Sequence, residues 1–195
     1  SGTFSVIQTA ARDLVGELNV FPLDSGAGSA ALGFMCREAR IMEQKGKSLE
    51  QILAHLRVIR DHITRIFTLE NLEFARLSGR INTFQTAISS LLRINPIIML
   101  RDGLLQMGDK VRTRQKAIER VISEVANRVG NQKVRIAVVH AVAPEAAQQL
   151  VDKLKISIPS IKEIIVTELS IPVAAHLGPG TVGIVSYPIL EDSGE

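Results

Sequence analysis

The stretch from Arg114 to Tyr187 changes its hydrophobic period at short, regular intervals, and this alternation constrains the fold more than any other feature of the chain. Apolar residues recur at helical spacing from Arg114 to Val129, then run almost without interruption from Val134 to His140. Pro144 to Leu154 returns to the helical period, with proline in the first turn where its missing N–H leaves no bond unmade. Ile161 to Leu169 and Gly183 to Tyr187 are again apolar and rich in β-branched residues. Helices and strands in such succession predict an α/β architecture.

The preceding residues extend the pattern less regularly. Phe4, Ile7, Ala11, Leu14, Val15 and Leu18 predict a helix over 3–18, with Ser1 or Thr3 as its cap. Asn19 to Leu23 reads as a short strand, Asp24-Ser25-Gly26 as a turn, and Ser29 to Gln44 as a helix ended by Gly46. Ser48 caps a third helix whose stripe runs from Leu49 through Ile59, Ile63 and Ile66, the face expected to cover a sheet. Beyond Phe67, Leu69 to Leu77 and Asn82 to Leu92 read as short helices around a Ser78-Gly79-Arg80 turn. Pro96 to Leu100 and Leu104 to Val111 read as an antiparallel pair joined through Asp102-Gly103. The sequence therefore predicts the remnant of a parallel-sheet α/β domain over residues 1–67, followed by a mixed α+β domain over residues 68–195. The opening Ser1-Gly2-Thr3 is helix-start chemistry with no strand and no Met before it, which predicts missing N-terminal sequence.

Charge and composition narrow the function. A net charge of +3, spread along the chain, and 4% aromatic residues suit neither a phosphate-binding surface nor base stacking, so nucleic acid is not expected as a partner. The single Cys36 permits no internal disulfide and fits a reducing, cytoplasmic setting. No apolar run reaches the roughly 18 to 20 residues that span a bilayer, so no stable membrane insertion is expected.

Few constellations carry chemistry. Gly26-Ala27-Gly28-Ser29-Ala30-Ala31 has the form of a dinucleotide fingerprint and would suit a nucleotide-binding α/β enzyme, but no ribose-binding acid follows at the expected distance. Small residues that let a helix pack close to a sheet account for it better. His55 and His62 lack the neighbours that would complete a metal site, and no metal is expected. Asp24, Ser25 and His176 supply the residue types of a hydrolase triad without its Gly-x-Ser-x-Gly elbow. His176-Leu177-Gly178-Pro179-Gly180 sets a titratable ring beside three residues that control the backbone, between two apolar strands. Such a loop suits a ligand-contacting histidine, and it also suits an ordinary surface turn.

Taken in order, these segments resemble the DegV family. The resemblance rests on Ser1-Gly2-Thr3-Phe4 with Gln8, Asp24-Ser25, Leu69-Glu70-Asn71-Leu72 leading to Ser78-Gly79-Arg80-Ile81, and Leu91-Leu92 with Pro96-Ile97-Ile98. It continues through Val111-Arg112-Thr113 with Lys116-Ala117, then His140-Ala141, and finally His176 to Gly180. It implies a two-domain α/β protein of bacterial, cytoplasmic origin that buries one long-chain fatty acid of the palmitate or oleate kind. On that resemblance the chain is the non-catalytic fatty-acid-binding subunit of a fatty acid kinase and needs no cofactor. The ATP-binding partner subunit phosphorylates the carboxylate. The implied fatty-acid site comprises His176 and Gly178, with Ser1, Gly2 and Thr3 at the family's helix start, while Arg80 and Arg112 match partner-docking arginines. Ile81, Phe84, Ile88 and Leu92 are the candidate tunnel wall, a face that plain core packing would equally explain. Two departures stand out: a Thr-Ser-x-Pro-Ser segment and a serine pair expected upstream are not in this sequence, and Ser29-Ala30-Ala31-Leu32-Gly33 replaces a glycine-richer turn. Without a ligand of its own, the Arg80 and Arg112 surface would fit a pure interaction module.

Overall fold

A computed structural model describes residues 2–70, 72–78, 94–101 and 104–190. Among them are seven helices and six strands: α1 Gly2–Asp13, α2 Ser29–Gln44, α3 Leu49–His62, β1 Thr64–Thr68, α4 Glu73–Leu77, β2 Asn95–Arg101, β3 Leu104–Val111, α5 Arg114–Val129, β4 Val134–His140, α6 Pro144–Ser157, β5 Ile161–Glu168, α7 Ile171–Leu177 and β6 Val182–Pro188. The strands form one mixed sheet in the order β3-β2-β1-β6-β4-β5, in which only β4 and β5 run parallel.

Alternation along each strand divides the core in two. Ile66, Ile97, Val134, Ile136, Val138, Val182 and Ile184 face α5 and α6, which return Val121, Val125, Leu150 and Leu154. Phe67, Ile98, Ala137, Val139, Val185 and Tyr187 face the other way, against Phe34 of α2, Ile59 of α3 and Leu177 of α7. Register makes this fit possible at the centre, where Phe67 lies opposite Gly183 and its ring occupies the space a Cβ there would need.

Most expected elements are found, α2, α5, β4 and α6 among them. The third helix is shorter than its stripe suggests. It begins with a capping box, in which Ser48 Oγ accepts from Gln51 N and the Gln51 side chain accepts from Ser48 N. It ends at His62, and Thr64–Thr68 is a strand. Ile59, Ile63 and Ile66 match helical spacing, but Ile66 and Phe67 point to opposite faces, as successive strand residues must. The junction expected at residue 67 thus falls within β1, where Phe67 and Thr68 share one ladder. The strand expected at Asn19 to Leu23 does not form: these residues pair with no described strand, and Phe21 is 55% exposed. The helix expected from Leu69 is confined to α4, because Leu69 N instead donates to Pro96 O and extends the β1 edge. The strands β2 and β3 pair as expected, while their Asp102-Gly103 turn and the helix expected at Asn82 to Leu92 lie outside the described residues.

Candidate functional site

The site candidate is built on α7 and the turn that follows it. Ile171-Pro172 opens this helix, with proline confined to the first turn, and Leu177 anchors its end in the core. His176 therefore stands in the last helical turn, half-buried, rather than in the loop between strands that the sequence suggested. No hydrogen bond engages its ring among the described residues. Both nitrogens are left available, one donor and one acceptor when neutral, two donors when protonated.

The turn beside it is firmly fixed. Gly178 adopts φ +85° and its N–H donates to Ala174 O at 2.8 Å. A side chain there would meet the Phe74 ring at 2.5 Å, so the position demands glycine for both conformation and space. Gly180, at φ +77°, is covered in the same way by the Glu70 carboxylate. Its N–H donates to Ala141 O at 2.8 Å, Ala141 N donates to Thr181 O at 2.9 Å, and Thr181 Oγ1 donates to Leu177 O at 3.1 Å. Buried His140 joins this frame, accepting from Ala143 N through Nδ1 at 3.4 Å. The expectation that Gly178 holds a shaped turn rests on these contacts.

Arg114, at the start of α5, completes the frame. Its Nη2 donates to Gly180 O, while Nη1 is buried without a hydrogen-bond partner among the described residues. Burial pulls this guanidinium below the ordinary arginine range, and the Glu70 carboxylate partly offsets that. Sequence reasoning gave Arg114 no site role and quoted Glu70 only within the Leu69-Glu70-Asn71-Leu72 motif. A lone arginine one residue after a helix cap carries no signal until the fold sets it against Gly180.

A second polar cluster also escaped the sequence. On the α2 side of the sheet, Glu38 Oε1 accepts from Tyr187 Oη and from Arg135 Nη1, each at 2.7 Å, and Glu38 Oε2 lies 3.6 Å from His55 Nε2. Arg135 Nε reaches Glu163 Oε2 at 3.3 Å, and Arg37 Nη1 binds the same carboxylate at 2.8 Å. Burial, then the hydrogen bond to Glu38, push the Tyr187 hydroxyl well above the ordinary tyrosine range. The cluster ties α2 and α3 to β4, β5 and β6.

The remaining predicted residues do not gather at His176. Gly2 and Thr3 are exposed on α1, which makes no extensive contact with another described element. Arg112 is exposed between β3 and α5. Ser1, Arg80, Ile81, Phe84, Ile88 and Leu92 lie outside the described residues. Gly26 to Ala31 lacks the strand that a dinucleotide fingerprint follows. Gly26 N instead closes an Asx turn on Asp24 Oδ1 at 2.9 Å, and Ser25 Oγ is engaged with Ala27. Clefts occur elsewhere. One of about 520 Å³ lies among Asp24, Arg60, Arg65 and Arg128, and another of about 420 Å³ lies between α2 and β5.

A model of the DegV family, described only as uncharacterised, matches residues 1–188. The chain belongs to the DegV family. A DegV domain-containing protein of Streptomyces coelicolor is 32% identical over 185 residues, covering 95% of this chain but 65% of its own length. The chain thus spans somewhat less than two thirds of that relative. Among solved structures, a fatty acid binding DegV protein from Thermus thermophilus superposes with a TM-score of 0.89 at 29% identity, covering 97% of this chain and 67% of its own. DegV from Bacillus subtilis, also a fatty acid binding protein, gives 0.84 at 29% identity with the same coverage.

Proposed function

We propose that this DegV chain binds a long-chain fatty acid and presents its carboxylate to an ATP-dependent partner kinase, performing no chemistry itself. The observation that carries the reading is the match of nearly the whole chain to two fatty acid binding structures at TM-scores of 0.84 and above. The site adds support: an imidazole with both nitrogens available, on a helix end held by a glycine turn, suits a carboxylate. Buried methylenes contribute about 0.8 kcal/mol each, so an acyl chain needs few polar contacts to bind tightly. On this reading His176 and Gly178 belong to the carboxylate site, with Ser1, Gly2 and Thr3 joining it at the start of α1. Ile81, Phe84, Ile88 and Leu92 line the acyl tunnel, and Arg80 and Arg112 dock the kinase. Residues 1–67 would close a first DegV-like unit and residues 68–195 form a second, with β1 as the seam.

Native mass spectrometry followed by lipid extraction tests the reading. One fatty acid per chain is the expected result, and His176→Ala should weaken binding by about tenfold to a hundredfold, the worth of a charge-assisted hydrogen bond. A chain that stays free of lipid when palmitate or oleate is added defeats it. Phosphorylation of bound lipid by a purified kinase, lost in Arg112→Glu, checks the partner.

A further inference from the structure

Arg114 occupies a place that local forces disfavour. It opens α5 directly after the Thr113 cap, and a cation in the first turn of a helix opposes the helix dipole. Its Nη2 donates to Gly180 O, but Nη1 is buried with no hydrogen-bond partner among the described residues, so the desolvation of one nitrogen offsets the bond made by the other. Burial also pulls this guanidinium below the ordinary arginine range. An apolar side chain of similar length would pack here at less cost. Stability therefore gives no account of an arginine at this position, and its effect lies in the contact with Gly180.

Gly180 ties the turn to the sheet. Its N–H donates to Ala141 O, just past the end of β4, at 2.8 Å, and its carbonyl accepts from Arg114. Such a clamp matters at a glycine, because a residue without a Cβ reaches many backbone conformations and the peptide after it can turn unless its carbonyl is held. One residue on, Thr181 O accepts from Ala141 N at 2.9 Å and Thr181 Oγ1 donates to Leu177 O at 3.1 Å. Leu177 ends α7, in the turn that carries His176. A path of hydrogen bonds joined by one peptide link thus runs from the Arg114 guanidinium through Gly180 and Thr181 to the helix end beside His176.

We propose that Arg114 is a positioning residue for the fatty-acid carboxylate site: by holding Gly180 O it fixes the peptide after the turn and, through Thr181 and Leu177, the direction in which His176 presents its ring. It acts without touching the ligand. The proposal rests on the reading of His176 as a carboxylate-binding group and extends that site to α5, which packs on the opposite face of the sheet from α7.

Arg114→Met keeps most of the side chain's length and removes its donors, so it separates positioning from stability. The variant is expected to unfold at the same urea midpoint as the parent chain or a higher one. It should nevertheless bind oleate about tenfold more weakly in a calorimetric titration, the worth of one hydrogen bond from a charged donor. Arg114→Lys, which returns a cationic donor to Gly180 O, should recover most of the affinity. A second measurement needs no lipid: in the magnetic resonance spectrum of the isotope-labelled chain, the ring signals of His176 should move in Arg114→Met, while those of His55 and His62 on α3 stay in place. A loss of affinity that merely follows a lowered midpoint makes Arg114 an ordinary packing residue and overturns the proposal. Affinity equal to the parent's, a lysine variant as weak as the methionine one, or unmoved His176 signals overturn it as well. A parent chain that binds no oleate defeats the fatty-acid reading instead, and the His176 signals then decide by themselves whether Arg114 orients that ring.

Discussion

Residues 114–188 and residues 2–28 both carry apolar patterns, yet the molecule treats them differently. In the first region α5 and α6 bury Val121, Val125, Leu150 and Leu154 completely against β4 and β6. In the second, Ala11 is the one buried residue among those described, and Val6, Val15, Leu18 and Phe21 remain exposed. Apolar periodicity states which face of a helix is to be covered. Whether anything covers it depends on the rest of the fold, and burial rather than pattern supplies most helical stability.

Substitutions can break or sharpen this contrast. The largest effect is expected at Leu150, where truncation to alanine leaves a cavity under α6 and should cost about 2–5 kcal/mol, read as a lowered urea midpoint. Glu38 follows, because it ties α2 to the sheet through Arg135 and Tyr187. Glu38→Ala removes the buried acceptor shared by Tyr187 Oη and Arg135 Nη1, while Arg135 keeps Glu163, and should cost about 1–3 kcal/mol. Were its loss harmless, apolar contact and the Arg37–Glu163 pair would be enough to hold α2 on the sheet. Gly178→Ala forces a side chain into the left-handed region and against Phe74, and about 1–3 kcal/mol of destabilisation is expected, read as a lowered urea midpoint. Ser48→Ala removes the capping box of α3 and should cost about 1 kcal/mol, detectable as a small fall in Tm. At the far end, Ile7→Ala on α1 should change stability by no more than about 0.5 kcal/mol. A loss at Ile7 comparable with that at Leu150 would mean that α1 is covered in solution.

Much of the fold is legible in the chain because local rules and packing agree there. Thr113 and Ser48 mark helix starts, Pro144 is a first-turn proline, and β4 alternates Val134, Ile136 and Val138 with Ala137 and Val139. The failures have a common cause. Asn19 to Leu23 has a strand's composition but no described neighbour to pair with, and Ile63 to Ile66 fits both periods until β2 and β6 claim the backbone. For the candidate site, His176 and Gly178 were visible as types in a suggestive spacing. The roles of Arg114, Glu70 and Phe74 were not, since they depend on contacts across 66 to 110 residues of chain.

The sequence by itself determined the alternation of elements, the caps, the two-sided character of the central strands and the membership of a family. These depend on interactions within a few residues or on order along the chain. Tertiary structure alone decided that β6 lies between β1 and β4, that Glu38 meets Tyr187 and Arg135 beneath α2, and that Glu70 and Arg114 enclose the Gly180 turn. Such arrangements depend on which surfaces are close enough to exclude water and complete each other's hydrogen bonds, a condition that no local stretch of sequence specifies.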